Sequence, residues 1–537
     1  MRDVQIYLMQ VYSDIPADAD RTAFPLTLPF VGGLDIRFRA PVTFIVGENG
    51  SGKSTLLEAL VDIAGLPVQG GGKNDLPDMI SRETDFEANK TTKPTLCYNR
   101  GKMKRKTFWL LIAVLVSVRL VLMATMPVFE PSEARYAAIS ANMARSGDFV
   151  VPRFTHNCEY QSFDGKPPLV FQVGGLFCRA FGVTEFAVRL FPFLSAALLL
   201  VILFSTVRHF ADAAAGRLAV LVCASCTAFY AAAGISMTDM TLACCVAGAL
   251  LLYRRFLEDF GWGSAVGVAA LLGAGMIVKG PVSLVMFGLP VLVDSAVNRR
   301  WRGLFCWKWL AVAPVFLAVA VPWFVLIEQR NPGAVWYFFY NENFLRFVSH
   351  DYGDKYGAGR EAFRGVSVVW AFVATLPWAL VPLWTSFRAF KSRRFGFSVI
   401  RSLDYFSLSL LTIVGFWCLT SRVLVYYLFP VVPLFAASLV LRGDRVRLAR
   451  LAPWGAAVSS VALVGALVGG SLLSDSMQGA KTRFSPIENH YAYEFYHGTP
   501  PAAELRKCRL IFEERVRLRA ARKAAAAAEK AGRKAER

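Results

Sequence analysis

TFWLLIAVLVSVRLVLMATMP, residues 107–127, is an apolar run long enough to cross the hydrocarbon core of a bilayer, which takes about 20 residues in a helix. A basic stretch, Lys102-Met-Lys-Arg-Lys106, stands before it, and a charged one, Glu130-Pro-Ser-Glu133-Ala-Arg135-Tyr136, stands after it. Similar apolar runs recur near 184–206, 217–235, 240–254, 264–278, 281–297, 309–327, 366–388, 405–420, 424–441 and 454–473. The pattern predicts an α-helical multi-spanning membrane protein with about eleven spans. The run 167–182 opens on two prolines and carries Arg179, which predicts a re-entrant or interfacial segment.

Composition agrees. Hydrophobic residues make up 55% of the 537-residue chain and mean hydropathy is +0.42, above the roughly 45–50% apolar content of soluble domains. The net charge of +20 comes from short Lys/Arg clusters between apolar runs, the pattern of cytoplasmic loops rather than of a nucleic-acid-binding face. No nucleic-acid partner is expected. The ten cysteines are scattered, several inside apolar runs, and neither a metal-ligand spacing nor a disulfide framework is readable among them. No secretory signal opens the chain, and the first insertable segment begins near Thr107.

Positive-inside counting starts with the end before Thr107 in the cytoplasm. If 167–182 does not cross, four later basic clusters also fall inside: Arg254-Arg255, Arg299 to Arg302, Lys391 to Arg394 and Arg442 to Arg450. The count puts 128–183, 236–239, the Lys279-Gly-Pro281 turn, 328–365 and 421–423 outside. It also puts the basic carboxy-terminal tail, 475–537, outside, against the rule. From about Ala502 that tail is rich in Ala, Arg, Lys and Glu and reads as helical.

The external segments hold the charged residues. Beyond Glu130 to Tyr136 they contain Ser146-Gly-Asp148, Asp164-Gly-Lys166-Pro-Pro168, Met237-Thr-Asp239, Lys279-Gly-Pro281, Asn341-Glu-Asn-Phe-Leu-Arg346 and Arg422 through Tyr426-Tyr-Leu-Phe-Pro430. This ordered set, over roughly 103–440, resembles glycosyltransferase family 39 of the GT-C fold class. That group includes bacterial lipid A aminoarabinose transferases and protein O-mannosyltransferases. The resemblance implies a sugar moved from a polyprenyl-phosphate donor to a lipid A-type glycolipid or another envelope acceptor. It implies an inner-membrane enzyme whose site faces the periplasm. The family's first external acidic pair falls on Ser132 and Glu133, so its first carboxylate is missing here. Glu133 and Asp239 are the implied catalytic carboxylates. Arg135, Tyr136, Lys166, Lys279 and Arg346 are the implied substrate-phosphate site.

That chemistry is physically coherent. Departure of a polyprenyl phosphate develops negative charge at the membrane surface, and fixed cations stabilise it. A hydroxyl acceptor needs a base, which Glu133 or Asp239 would supply. With a phosphate acceptor, already nucleophilic, the carboxylate would instead position groups or bind a divalent metal. His156 and His350 lie in external segments, but two isolated histidines assign no metal site. The aromatic run Trp336 to Tyr340 reads as an interfacial belt.

The first 75 or so residues have a different character. Gly47-Glu-Asn-Gly50-Ser-Gly52-Lys53-Ser54 fits the P-loop pattern, after the β-type run Val42 to Val46 and before a helical stretch, Ser54 to Ile63. In such a loop Gly47, Gly50 and Gly52 let the backbone cradle phosphates, Lys53 reaches the β/γ phosphates, and Ser54, followed by Thr55, holds Mg²⁺. The stretch resembles the start of ABC-type or related AAA-family ATPases. No apolar strand ending in Asp or Glu follows before Lys106, and no ABC signature is present. The expectation is a truncated P-loop segment (1–75), binding ATP and Mg²⁺ only if it folds, then a polar linker (76–102) and the membrane domain (103–474). The competing expectation is an ATP-driven transporter with a fused P-loop domain.

Overall fold

The computed structural model describes residues 10–12 and 35–37 of one unit, Met1–Thr95. In a second unit, Leu96–Arg537, it describes 105–348, 356, 362–391, 404–420, 422–473, 490–511 and residues 513, 514, 517 and 518. In the first unit β1 (Gln10–Tyr12) pairs antiparallel with β2 (Asp35–Arg37). The P-loop residues Gly47, Gly50, Gly52, Lys53, Ser54 and Thr55 lie outside the described residues.

The second unit is helical. Its elements in order are α1 (Arg105–Thr125), α2 (Ser132–Ser146), the hairpin β3 (Arg153–His156) and β4 (Glu159–Ser162), α3 (Leu169–Phe181) and α4 (Glu185–Phe210). Next come α5 (Ala213–Ala224), α6 (Thr227–Ala232), α7 (Thr238–Asp259), α8 (Trp262–Lys279), α9 (Val282–Asn298) and α10 (Lys308–Arg330). A π-helical stretch, Tyr337–Leu345, precedes α11 (Val366–Ala374), α12 (Leu380–Lys391), α13 (Tyr405–Cys418), α14 (Val431–Arg442), α15 (Arg445–Leu473) and α16 (His490–His497).

Among the described residues six helices are long and apolar enough to cross a membrane: α1, α4, α7, α8, α10 and α15. Each coincides with one expected span. The chain is therefore a multi-pass membrane protein. Three expected spans, 281–297, 405–420 and 424–441, become the shorter apolar helices α9, α13 and α14. Helix α3, over the expected interfacial run 167–182, has 13 residues, fewer than the about 20 that a crossing takes. It lies tightly on α2: a Cβ on Gly175 would come within 2.9 Å of the Ser140 carbonyl oxygen.

The remaining two expected spans, 217–235 and 366–388, are broken. The first breaks at Ser225-Cys226 between α5 and α6, and the second between α11 and α12, where Pro377 disfavours helix at the residue before it. Each break supplies what the other lacks. Thr227 N donates to the Leu376 carbonyl at 2.9 Å, and the Trp378 indole donates to Ser225 Oγ at 2.9 Å. The Ser459 hydroxyl of α15 donates to the Ser225 carbonyl. Irregular backbone at membrane depth survives only where protein satisfies it, and here two interruptions and a neighbouring helix do so together.

Helix α7 is the hub. Of its most apolar 18-residue window 78% is buried, against 17% for α10, which turns a largely apolar surface outward. The α8–α9 turn passes through Gly280, at φ +80°, where a Cβ would stand 2.4 Å from the Phe338 ring. Only glycine fits that turn, which carries Lys279 to the end of α8 beside the start of α7.

Candidate active site

Asp239 occupies the first turn of α7, and the ammonium of Lys279, at the last residue of α8, donates to its Oδ1 at 2.5 Å. The pair is buried, with side chains 4% and 9% exposed respectively. The Lys279 ammonium also sits 4.1 Å from the centre of the Tyr427 ring. Removing two charges from water is tolerable only with such close compensation.

Lys279 opens onto a cavity of about 370 Å³ that Lys166, Arg346 and Arg422 also line, a size suited to a small-ligand site. Among the described residues its one lining carboxylate is Glu342, which accepts from Arg346 Nη1 at 3.0 Å and from the Tyr337 hydroxyl at 3.3 Å. Among the described residues, counting Asp239 behind Lys279, four cations face two carboxylates. Val282, Val285, Phe344 and Phe416 form an apolar wall beside them. Positive charge next to an apolar wall suits an amphiphile with an anionic head.

Lys166, in the turn before α3, is the titratable cation of the group. Burial and the facing charges of Lys279 and Arg346 push its ammonium down to about 7. The unliganded site therefore holds Lys166 charged below that pH and neutral above it. A bound phosphate favours the charged form. Affinity for a polyprenyl phosphate is expected to fall as pH rises from 6 to 8.5, partly offset by the ligand's own second ionisation near ~6. Lys166→Arg, permanently charged, is expected to lose the lysine's part of that slope. Binding isotherms for both proteins across that range test this, and identical slopes would remove Lys166 from the phosphate site.

Glu133 stands elsewhere. Arg189 of α4 donates through Nε to its Oε1 at 2.8 Å and through Nη2 to its Oε2 at 3.0 Å. The backbone N–H groups of Ser236 and Phe129 each donate to it at 3.0 Å. Four donors occupy the carboxylate's accepting capacity. Burial pushes its pKa up, the Arg189 guanidinium pulls it down, and the net lies below the ordinary carboxylate value. Glu133, expected as a catalytic carboxylate, is thus closed within a buried network that takes up all four of its accepting positions, and we propose an architectural role for it.

The other expected residues divide as well. Tyr136 is buried, 5.2 Å from the Phe171 ring centre and 6.3 Å from that of Phe163. Arg135 does not line the cavity. Its guanidinium lies 4.9 Å from the Tyr491 ring of α16 and reaches toward the Tyr356 carbonyl at 3.5 Å. Nearby, Glu130 accepts from Ala492 N at 2.6 Å, and burial raises its pKa to about 7. So Lys166, Lys279, Arg346 and Asp239 come together, whereas Arg135 and Glu133 serve other contacts. Among the described residues no cluster of His, Cys, Asp and Glu could hold a metal ion. Of the aromatic run, Trp336 and Tyr340 are exposed and stacked at 4.9 Å, while Phe338 is buried beneath Gly280.

Sequence reasoning missed Arg189, whose signal was a lone arginine in an apolar run. It also missed Glu342, four residues before Arg346 and so on the same helical face.

Two separate stretches of the chain match known families. A family model described as dolichyl-phosphate-mannose-protein mannosyltransferase matches residues 165–325. An AAA domain model matches 28–98, which includes the P-loop. The chain is 29% identical over 252 residues to the undecaprenyl phosphate-alpha-4-amino-4-deoxy-L-arabinose arabinosyl transferase of Edwardsiella ictaluri, covering 46% of this chain and 45% of that protein. It is 29% identical over 225 residues to a second such transferase, from Sodalis glossinidius, covering 41% and 40%. The chain thus spans about half the length of the curated relatives it matches. The crystal structure of ArnT from Cupriavidus metallidurans bound to undecaprenyl phosphate superposes with a TM-score of 0.52 at 25% identity, covering 76% of this chain and 72% of that one. The membrane unit has the helical GT-C architecture of that structure.

Proposed function

We propose that the chain is a membrane glycosyltransferase of the arabinosyl-transferase kind, which moves an amino-pentose or related sugar from undecaprenyl phosphate to a phosphate-bearing envelope glycolipid. The observation that carries this is the cavity where Lys166, Lys279 and Arg346 converge beside an apolar wall. In the reaction an acceptor oxygen bonds to the sugar's anomeric carbon while the bond from that carbon to the donor phosphate oxygen breaks. The three cations take up the negative charge on the departing phosphate. Asp239 positions Lys279, and Glu342 positions Arg346. A phosphate acceptor is already anionic and needs no base, which suits a site where Asp239 and Glu342 are both engaged by cations. In a Gram-negative cell the site faces the periplasm from the inner membrane, and the polyprenyl chain lies along the apolar wall.

The test is transfer in proteoliposomes, using radiolabelled undecaprenyl-phosphate sugars and lipid A as acceptor. Wild type is expected to transfer, and Asp239→Ala to lose about 10²–10³-fold, the usual effect of misplacing one charge-stabilising donor. The AAA match keeps a second reading in view, an ATP-driven transporter. No transfer with any donor, together with ATP hydrolysis abolished by Lys53→Ala, would establish that reading instead.

A further inference from the structure

We propose that Cys158 and Cys508 form a disulfide in the mature protein, fixing the carboxy-terminal segment on the external face against the first external loop. The two sulfurs are bonded, the Cα atoms lie 5.7 Å apart, and the residues are 350 positions apart in the chain. That Cα separation is ordinary for a disulfide. Cys158 sits at the tip of the β3–β4 hairpin, and Cys508 lies in a helix over residues 502–511. Both are buried.

The juxtaposition does not depend on the sulfur bond. Helix α16, a few residues before Cys508, carries Glu494, which is fully buried. Its carboxylate accepts from the Thr155 backbone N–H at 2.9 Å and from Asn142 Nδ2 at 2.8 Å. From α2, Arg145 donates to the Phe495 carbonyl at 2.6 Å. The tail helix is thus bound to α2 and to the strand that leads into Cys158. By contrast, the seven other cysteines among the described residues are free, five of them buried and four of those five within helices.

Forming the bond removes two protons and two electrons from the thiols. The acceptor is the disulfide form of a thiol oxidoreductase, which leaves as a dithiol after exchange through a mixed disulfide. Such oxidants act in the periplasm and other oxidising compartments, while the cytosol keeps thiols reduced. The bond therefore reports sidedness. It places β3–β4 and the 490–511 segment together on the outside. The basic tail, which breaks the positive-inside pattern, is then held outside by the loop it is bonded to. This rests on the cysteine and Glu494 geometry alone and stands or falls apart from the proposed transfer.

The experiment uses the full unmodified chain. Free thiols are alkylated during lysis and the purified protein is digested with trypsin without reductant. The expected product is the peptide 154–179 linked through Cys158 to the dipeptide 508–509, with Cys178 alkylated, and the species disappears on reduction. Recovery of Cys158 and Cys508 both alkylated would overturn the proposal. A second arm reads sidedness without touching either cysteine: alkaline phosphatase fused after Arg537 is expected to be active in whole cells. An inactive fusion whose counterpart with green fluorescent protein is bright would place the tail inside and overturn it too.

Discussion

Lys279→Met is expected to reduce sugar transfer by about 10³-fold or more. Removing one preorganised donor from a developing anion costs about 10²–10³ in rate. Here the substitution does more, because it strands Asp239, 3% exposed, without the ammonium that now lies 2.5 Å away. An unpaired buried carboxylate destabilises by about 3–5 kcal/mol. Loss of folding and loss of chemistry must therefore be separated, and a double variant does so. Lys279→Met with Asp239→Asn replaces the pair by neutral groups of similar shape, and it is expected to recover the thermal stability that the single variant loses. It is not expected to recover transfer, because no cation returns to the cavity. Transfer per folded molecule, measured for both variants, reads the difference. A double variant as active as wild type would show that the pair is architectural and that Lys166 and Arg346 suffice for the phosphate. Lys279→Arg is not a neutral control: a planar guanidinium must fit beneath the Tyr427 ring, now 4.1 Å from the ammonium.

Much of this candidate site is legible in the sequence, for a definite reason. A charged residue at the edge of a long apolar run is costly, and few are kept there idly. Lys166, Asp239, Lys279 and Arg346 stand at such edges, and counting crossings put them on one side. What could not be read depends on contacts between distant parts of the chain. Ser225-Cys226 lies inside an apolar run and gives no local break signal. Its interruption is stabilised by Leu376 and Trp378, some 150 residues on, which hydrogen-bond to it. Glu133 looked catalytic because it stands in a charged stretch just after an apolar run, while the residue that claims it, Arg189, is 56 positions away. Cys158 and Cys508 looked like two of ten scattered thiols because only the folded tail brings them together. The helical reading from Ala502 agrees with the helix over 502–511, yet helix α16 before it went unseen. Its eight residues, HYAYEFYH, are few, and it is held where Glu494 and Tyr491 find partners on α2 and β3.

The network around Glu133 leads to the other large effect. Arg189→Met is expected to abolish accumulation of folded protein in the membrane. The guanidinium makes five hydrogen bonds: two to Glu133 and three to the carbonyls of Met123, Met126 and Pro127, where α1 ends and the segment leading to α2 begins. Its loss leaves a saturated carboxylate without its counter-charge and three carbonyls without donors. Breaking a buried pair costs about 3–5 kcal/mol, and each orphaned carbonyl adds roughly 1–3 kcal/mol. That sum is comparable with the whole stability of a domain, about 5–15 kcal/mol. Glu133→Gln is the discriminating variant. It keeps the shape but removes the charge and turns one acceptor into a donor facing Arg189. If Glu133 is architectural, this protein is poorly recovered and melts early, while the molecules that do fold turn over at close to the wild-type kcat. If Glu133 were instead the catalytic base, the variant would be recovered normally and kcat would fall by about 10²–10⁴, the span general-base catalysis supplies. Detergent-solubilised yield, melting temperature and kcat per folded molecule separate these outcomes. A stable, inactive Glu133→Gln would return the carboxylate to the reaction and make Arg189 its positioning partner.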